Sequence, residues 1–272
     1  MTDMQIISAS DLPKGNKSFL LYGRPGSGKT SALLTLPGRT LVHVFDPPAA
    51  ASLRGAANVD VRLFIGDDVN VNPTSMSSGS KARTTPIVPV REPKLYEEYL
   101  KFFAEAYEKG VYEQYDNICW DSLTTIQSAI MRRQTWINQR SGNVAMQDDY
   151  LPAMGTLHGG MEEAMGKLAH KLLVFTAHET AGEDKVFGYS QITLHTIGKL
   201  RDHLPGLFTD VFHTVVEEGR FFAEILKTPK LPAAKCSFRN ITKARTPRVE
   251  LTITDWAAPT SFGIGKMLSE EI

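Results

Sequence analysis

Eight consecutive residues, Gly23-Arg24-Pro25-Gly26-Ser27-Gly28-Lys29-Thr30, have the types and spacing to hold a polyphosphate. They fit G-x-x-x-x-G-K-[ST], the phosphate-binding P-loop. Glycines at the turning positions let successive backbone N–H groups converge on one anion, and the N-terminus of a following helix adds partial positive charge. Lys29 would reach the β- and γ-phosphates of a nucleotide, and the Thr30 hydroxyl would ligate Mg²⁺. With Ser31, the first residue beyond the motif, these residues form the expected cradle for ATP. The competing reading, a glycine-rich turn before an ordinary helix, uses the same glycines. The flanking segments argue against it.

Those segments supply the strand, loop and helix that the motif needs. Residues 18–22 (Ser-Phe-Leu-Leu-Tyr) are a short apolar run that reads as a buried strand. Residues 31–36 are a good helical start, ended by Pro37-Gly38. Residues 40–46 read as a second buried strand ending in a carboxylate, Asp46, and stopped by Pro47-Pro48; residues 59–65 read as an edge strand. Between 66 and 93 the composition shifts to Asn, Ser, Thr, Pro and Gly with Lys81, Arg83 and Arg91, which predicts a long surface loop or mobile insertion, with a DNA contact as the alternative. Apolar residues at helical spacing predict a helix over 94–109, closed by Gly110.

Residues 115–122 (Tyr-Asp-Asn-Ile-Cys-Trp-Asp-Ser) are an apolar strand ending in Asp121. Behind a P-loop, such a strand end holds Mg²⁺ through water beside Thr30; alternatively Asp121 is an ordinary helix N-cap. A helix over 123–139, a loop over 140–147 and a helix from 149 to 168 follow, the last with a methionine stripe that reads as core packing. Residues 171–177 form another buried strand, ending at His178-Glu179. Ligands bind beyond the carboxyl ends of parallel strands, so His178 would face the nucleotide and sense its γ-phosphate, or else make ordinary strand-end hydrogen bonds. Residues 180–192 read as a hairpin or mobile loop, 197–200 as a short helix, and 211–216 with 220–226 as two antiparallel strands. Residues 227–249 carry seven basic residues and no acidic one, with Phe238 among them; the tail beyond holds one possible short strand and a polar end.

Composition bounds the rest. At 272 residues, 42% hydrophobic and 22% charged, the chain is ordinary for a globular protein and suits one α/β domain, with a core over about 18–226 and a basic C-terminal segment over 227–272. Thirty basic and thirty acidic residues cancel, so no global field draws the chain to nucleic acid or membrane. Cys119 and Cys236 lie far apart, and Cys119 reads as a small core residue. The seven histidines show no metal-ligand spacing, which argues against zinc. The N-terminus lacks a basic-then-apolar signal, and no apolar run approaches the roughly 18 residues of a membrane span. The expectation is a soluble protein of a reducing cytoplasm, with no membrane contact. The fold expected is a P-loop NTPase: a mostly parallel sheet between helices, with an antiparallel C-terminal extension.

With these residues in place, the chain resembles the RecA-like P-loop ATPases of phages, and more narrowly the phage AAA-type ATP-binding proteins that include the core-only RecA-like single-strand annealing proteins. The carriers are residues 22–30, residues 115–122 with the following Leu-Thr-Thr, Asp149-Tyr150, residues 176–179, and Gly198-Lys199-Leu200 leading to residues 207–211. The resemblance implies ATP-dependent binding of single-stranded DNA, assembly into homo-oligomeric rings or filaments, help with annealing or strand exchange in phage recombination, a host-cytoplasmic location, and a single-strand-binding protein as natural partner. It also exposes a departure. In RecA-like enzymes the second strand ends near a glutamate that activates the attacking water; here it ends Asp46-Pro47-Pro48, leaving Asp46 or Glu179 for that role and implying slow hydrolysis. For the basic stretch three readings stand: Lys243 or Arg245 reaches a neighbouring subunit's γ-phosphate, or the stretch contacts a single strand with Phe238 stacking on bases, or it is a solvated surface. Two other function classes compete: a nucleotide-switched assembly scaffold with little hydrolysis, and a small-molecule or nucleotide kinase, which is weakened by the absence of an arginine-rich lid.

Overall fold

The protein is described from a computed structural model, in which residues 17–64, 92–141, 144–183, 188, 190–238 and 247–270 are placed. Nine strands lie among these residues: β1 (Ser18–Gly23), β2 (Thr40–Val44), β3 (Val59–Leu63), β4 (Asn117–Asp121), β5 (Leu172–Glu183), β6 (Ser190–Leu194), β7 (Asp210–Glu217), β8 (Arg220–Glu224) and β9 (Arg248–Glu250). They form a sheet of order β3-β2-β4-β5-β1-β7-β8-β9, with β6 paired to the outer half of β5. From β3 to β7 neighbouring strands run parallel; β8 and β9 continue antiparallel. The expected α/β architecture, a mostly parallel sheet with an antiparallel flank, is what the chain adopts.

Parallel strands covered on both faces are apolar throughout, and the pleat divides their side chains between two cores. Leu20, Tyr22, Ile118, Trp120, Leu173 and Phe175 point to one face, beneath helices α3 (Leu95–Glu108), α4 (Leu123–Ile137) and α5 (Gln147–Lys167). Phe19, Leu21, Val42, Val44, Cys119, Val174 and Phe212 point to the other. That face is covered by α1 (Lys29–Ala32) with the 3₁₀ turn Leu33–Thr35, by α2 (Pro47–Ser52), and by a C-terminal helix whose residues include Ile264 and Met267. A short helix α6 (Leu200–His203) completes the first layer, and the C-terminal helix is α7 (Gly263–Ser269). On the first face Trp120 stacks on Phe175 at 4.3 Å between ring centroids and donates its indole N–H to Tyr99 at 2.9 Å. His43 sits fully buried among Phe64, Phe102, Tyr112 and Trp120, where burial pushes its pKa down to about 3 and keeps the ring neutral.

Register then places the chemistry. Gly23 ends β1 level with His178 of β5 and Thr214 of β7, and Val44 of β2 is level with Asp121 of β4. The predicted site residues therefore leave the sheet at one edge.

Several expectations need correcting. Pro47-Pro48 does end β2, but the two prolines also open α2; a proline at the first helical turn has no N–H to lose. The helix expected from residue 149 begins at Gln147, because the Asp149 carboxylate accepts the Met146 N–H at 2.7 Å and so caps it; Pro152 falls inside the helix. For the segment after Glu179 the hairpin alternative holds among the described residues: β5 runs out to Glu183 and pairs antiparallel with β6, Glu183 opposite Ser190. The tail is not merely polar. Leu251, Ile253, Ile264 and Met267 join the second core, which extends past residue 226. Phe238 is 1% exposed, packed against Phe19 and Phe212 under the Lys17 ammonium, so it is not free to stack on bases. Lys81, Arg83, Arg91, Lys243 and Arg245 lie outside the described residues.

Candidate nucleotide-binding site

The P-loop joins β1 to α1, and its glycines are demanded by what surrounds them. A Cβ on Gly23 would lie 2.4 Å from both the carbonyl and hydroxyl oxygens of Thr214. Gly26 and Gly28 have φ of +77° and +86°, and a Cβ on Gly28 would also meet the Phe221 ring at 2.7 Å. Ser27 Oγ lies 2.6 Å from Thr214 Oγ1, tying the loop to β7.

Lys29 is 6% exposed. Its ammonium donates to the carbonyls of Gly23 and Arg24 at 3.0 and 2.7 Å. Burial pulls its pKa down to about 8, against the opposing pull of Asp121, Glu179 and Asp46. An ammonium held only by carbonyls and partly stripped of water gains most from a phosphate oxygen.

Thr30 donates its hydroxyl to Asp121 Oδ2 at 2.6 Å, and Thr176 of β5 donates to the other oxygen. Asp121 is 3% exposed. It is not the N-cap of α4: Ser122 takes that place, its Oγ accepting the Thr125 N–H. The hydroxyl–carboxylate pair suits one hard cation. Among the described residues no group of three or more His, Cys, Asp or Glu could hold a metal alone. A Mg²⁺ at this pair would draw its other oxygens from phosphate and water, as that ion does with nucleotides.

A cleft of about 360 Å³ opens over these groups. Pro25, Gly26, Gly28, Lys29, Thr30 and Ser31 form its floor, with Asp121 and His178 at the sheet edge. Asp46, Pro48, Ala49 and Ser52, from β2's end and α2, form one wall, and Phe221 of β8 stands on another. The His178 backbone N–H donates to Thr124 at 2.9 Å; its Nδ1 is buried without a partner among the described residues, and burial, then Lys29, lowers its pKa. Gly23 and Ser27 shape the loop from behind. Arg24 and Glu179 meet outside the cleft: Arg24 Nε donates to Glu179 Oε1 at 3.0 Å. Glu179 Oε2 faces His213 Nε2 at 2.7 Å, and His213 Nδ1 faces Glu224 at 2.7 Å.

Sequence reading missed Phe221, Thr176, Thr214 and His213. Each lies on a strand and meets its partner at or beside the site only through the pairing of strands remote in sequence, so no local spacing announces it. A buried histidine flanked by apolar residues within β7 was the one available signal.

A glycine-bent loop, a buried ammonium and a hydroxyl–carboxylate pair suited to a cation, together at the carboxyl edge of a parallel sheet, place the chain among the P-loop NTPases. Over residues 15–235 the sequence matches the AAA domain family, to which this chain belongs. Comparison with curated proteins gives no match. Among solved structures the chain is similar to an ATPase from the type III secretion system of pathogenic bacteria, at 10% identity and a TM-score of 0.40 over 75% of this chain. The match covers 53% of that ATPase, about half its length. Among the described residues no helix is long and apolar enough to cross a membrane.

Proposed function

We propose that the protein is a Mg²⁺-dependent ATPase of phage recombination, which binds single-stranded DNA and promotes annealing or strand exchange as a ring or filament. The nucleotide half of this reading rests on one observation: Thr30 and Asp121 meet at 2.6 Å beside the buried Lys29. Bound there with ATP, Mg²⁺ would neutralise charge on the β- and γ-phosphates. The chain's own residues do the rest. The P-loop amides fix the phosphates, and Lys29 exchanges the Gly23 and Arg24 carbonyls for phosphate oxygens. His178, at the end of β5, reports on the γ-phosphate.

Asp46 orients the attacking water. It lines the cleft, and its carboxylate makes no hydrogen bond or ion pair among the described residues. Glu179, the other sequence candidate, is engaged by Arg24 and His213 outside the cleft. The DNA half is supported by resemblance to phage annealing ATPases and by the cations of residues 227–249, from which Lys243 or Arg245 would reach a neighbour's γ-phosphate. A single-strand-binding protein is the expected partner.

A second reading, a nucleotide-switched scaffold, is favoured by the aspartate at Asp46 where RecA-like enzymes carry a glutamate. Turnover of ATP with Mg²⁺, with single-stranded or duplex DNA and without DNA, separates the two. The ATPase reading predicts stimulation by the single strand, and a loss of about 100-fold or more in Asp46→Asn with ATP still bound. Tight ATP binding without stimulated turnover would replace it with the scaffold.

A further inference from the structure

A second cavity of about 370 Å³, as large as the nucleotide cleft, shares no residue with it. It lies where β6 meets α6 and the segment that follows β8. Arg201, Lys227 and Lys235 line it, with Asp202 as its single carboxylate and Thr193 of β6 in its wall.

None of the three cations forms an ion pair among the described residues. Arg201 spends only its Nε, on the Gly198 carbonyl at a long 3.4 Å, which leaves the outer guanidinium edge available. Burial lowers the Lys235 pKa, and the opposing carboxylate, Asp210, is already committed. Its two oxygens accept the Ser237 N–H, the Ser237 hydroxyl and the Thr209 hydroxyl. Thr193 is 7% exposed, and its hydroxyl is buried with no partner among the described residues. A fork of N–H donors and two ammonium groups are the donor set of a phosphate site.

We propose that this cavity binds a phosphate mono- or diester, separately from the nucleotide cleft. Three cations against Asp202 leave a net charge that suits one phosphate rather than a triphosphate, and the volume leaves room for an attached sugar. The site also touches the nucleotide end of the sheet. Thr193 pairs with Thr180, two residues beyond His178, and the His195 N–H donates to the His178 carbonyl at 2.8 Å. The proposal stands on these residues and does not rest on the ATPase reading.

The test uses protein carrying Lys29→Ala, which silences the P-loop, and titrates inorganic phosphate by calorimetry. Binding is expected to persist, and to weaken by about 5- to 30-fold when Lys227→Ala or Lys235→Met is added, as for loss of one charge-assisted bond. Circular dichroism confirms that both variants fold. Competition then identifies the source. Displacement of phosphate by oligo(dT) marks a nucleic-acid backbone, and displacement only by nucleoside monophosphate marks a small phosphorylated ligand; both support the site. Phosphate binding that vanishes in Lys29→Ala, or that is indifferent to both Lys227→Ala and Lys235→Met, overturns it.

Discussion

Lys29 is the residue whose state decides what the cleft can hold. Burial brings its pKa to about 8, so nucleotide-free protein loses that proton just above neutrality. A polyphosphate needs the ammonium. Nucleotide affinity should therefore fall as pH rises through about 8, by about 10-fold at one unit above the pKa, since the competent fraction falls by that factor. Lys29→Arg should show a flat profile over the same window, because a guanidinium keeps its charge. Dissociation constants measured between pH 7 and 9.5 check this, and a flat wild-type profile would refute it. The sign for stability is opposite. Between about 8 and 10.5 the unfolded chain holds a proton that the folded chain has lost, so nucleotide-free protein gains stability as pH rises across that window. At this scale much of the site was legible in the sequence, because Lys29, Thr30 and Asp121 belong to patterns whose chemistry fixes their types. What Glu179 touches was not legible: its partners, Arg24 and His213, are 155 and 34 positions away, and no spacing rule reaches across the sheet.

Among the elements, α7 was invisible to sequence reading. It is a seven-residue helix with two glycines, too short for its apolar period to stand out. Its partner explains it. Gly265 packs so tightly on the turn after α1 that a Cβ there would meet the Thr35 carbonyl at 2.1 Å and the Thr260 carbonyl at 2.3 Å. Backbone on both sides cannot yield as a flexible side chain would. Gly265→Ala should thus destabilise the fold by about 1–3 kcal/mol, the usual cost of overpacking, seen as a lowered Tm. An unchanged Tm would mean that α7 does not hold this position. The prolines that open α2 misled for a different reason: as a pair they read as a stop, and only the turn after them shows a helix start. By contrast β1, β4, β5 and α3 were readable, being long enough for continuous apolarity or helical spacing to exceed local noise. Phe238 looked like a surface aromatic among cations because the strands that bury it, β1 and β7, are remote in sequence.

Across the whole molecule, one sheet carries both cavities, and its change from parallel to antiparallel at β7 and β8 gives each its character. The parallel part delivers Gly23, Asp46, Asp121 and His178 to one edge. The antiparallel return brings Phe221 over Gly28 and leads on to Lys227 and Lys235 at the second cavity. The first of these cavities is the nucleotide site, and it is built on Lys29. Calorimetric binding of Mg·ATP to wild type and to Lys29→Ala tests it most directly. Loss of a charge-assisted contact to phosphate predicts affinity about 10- to 100-fold weaker in the variant, with its circular dichroism unchanged. Equal affinity in the two folded proteins would mean that Lys29 does not hold the phosphates and that the cleft is not a nucleotide site.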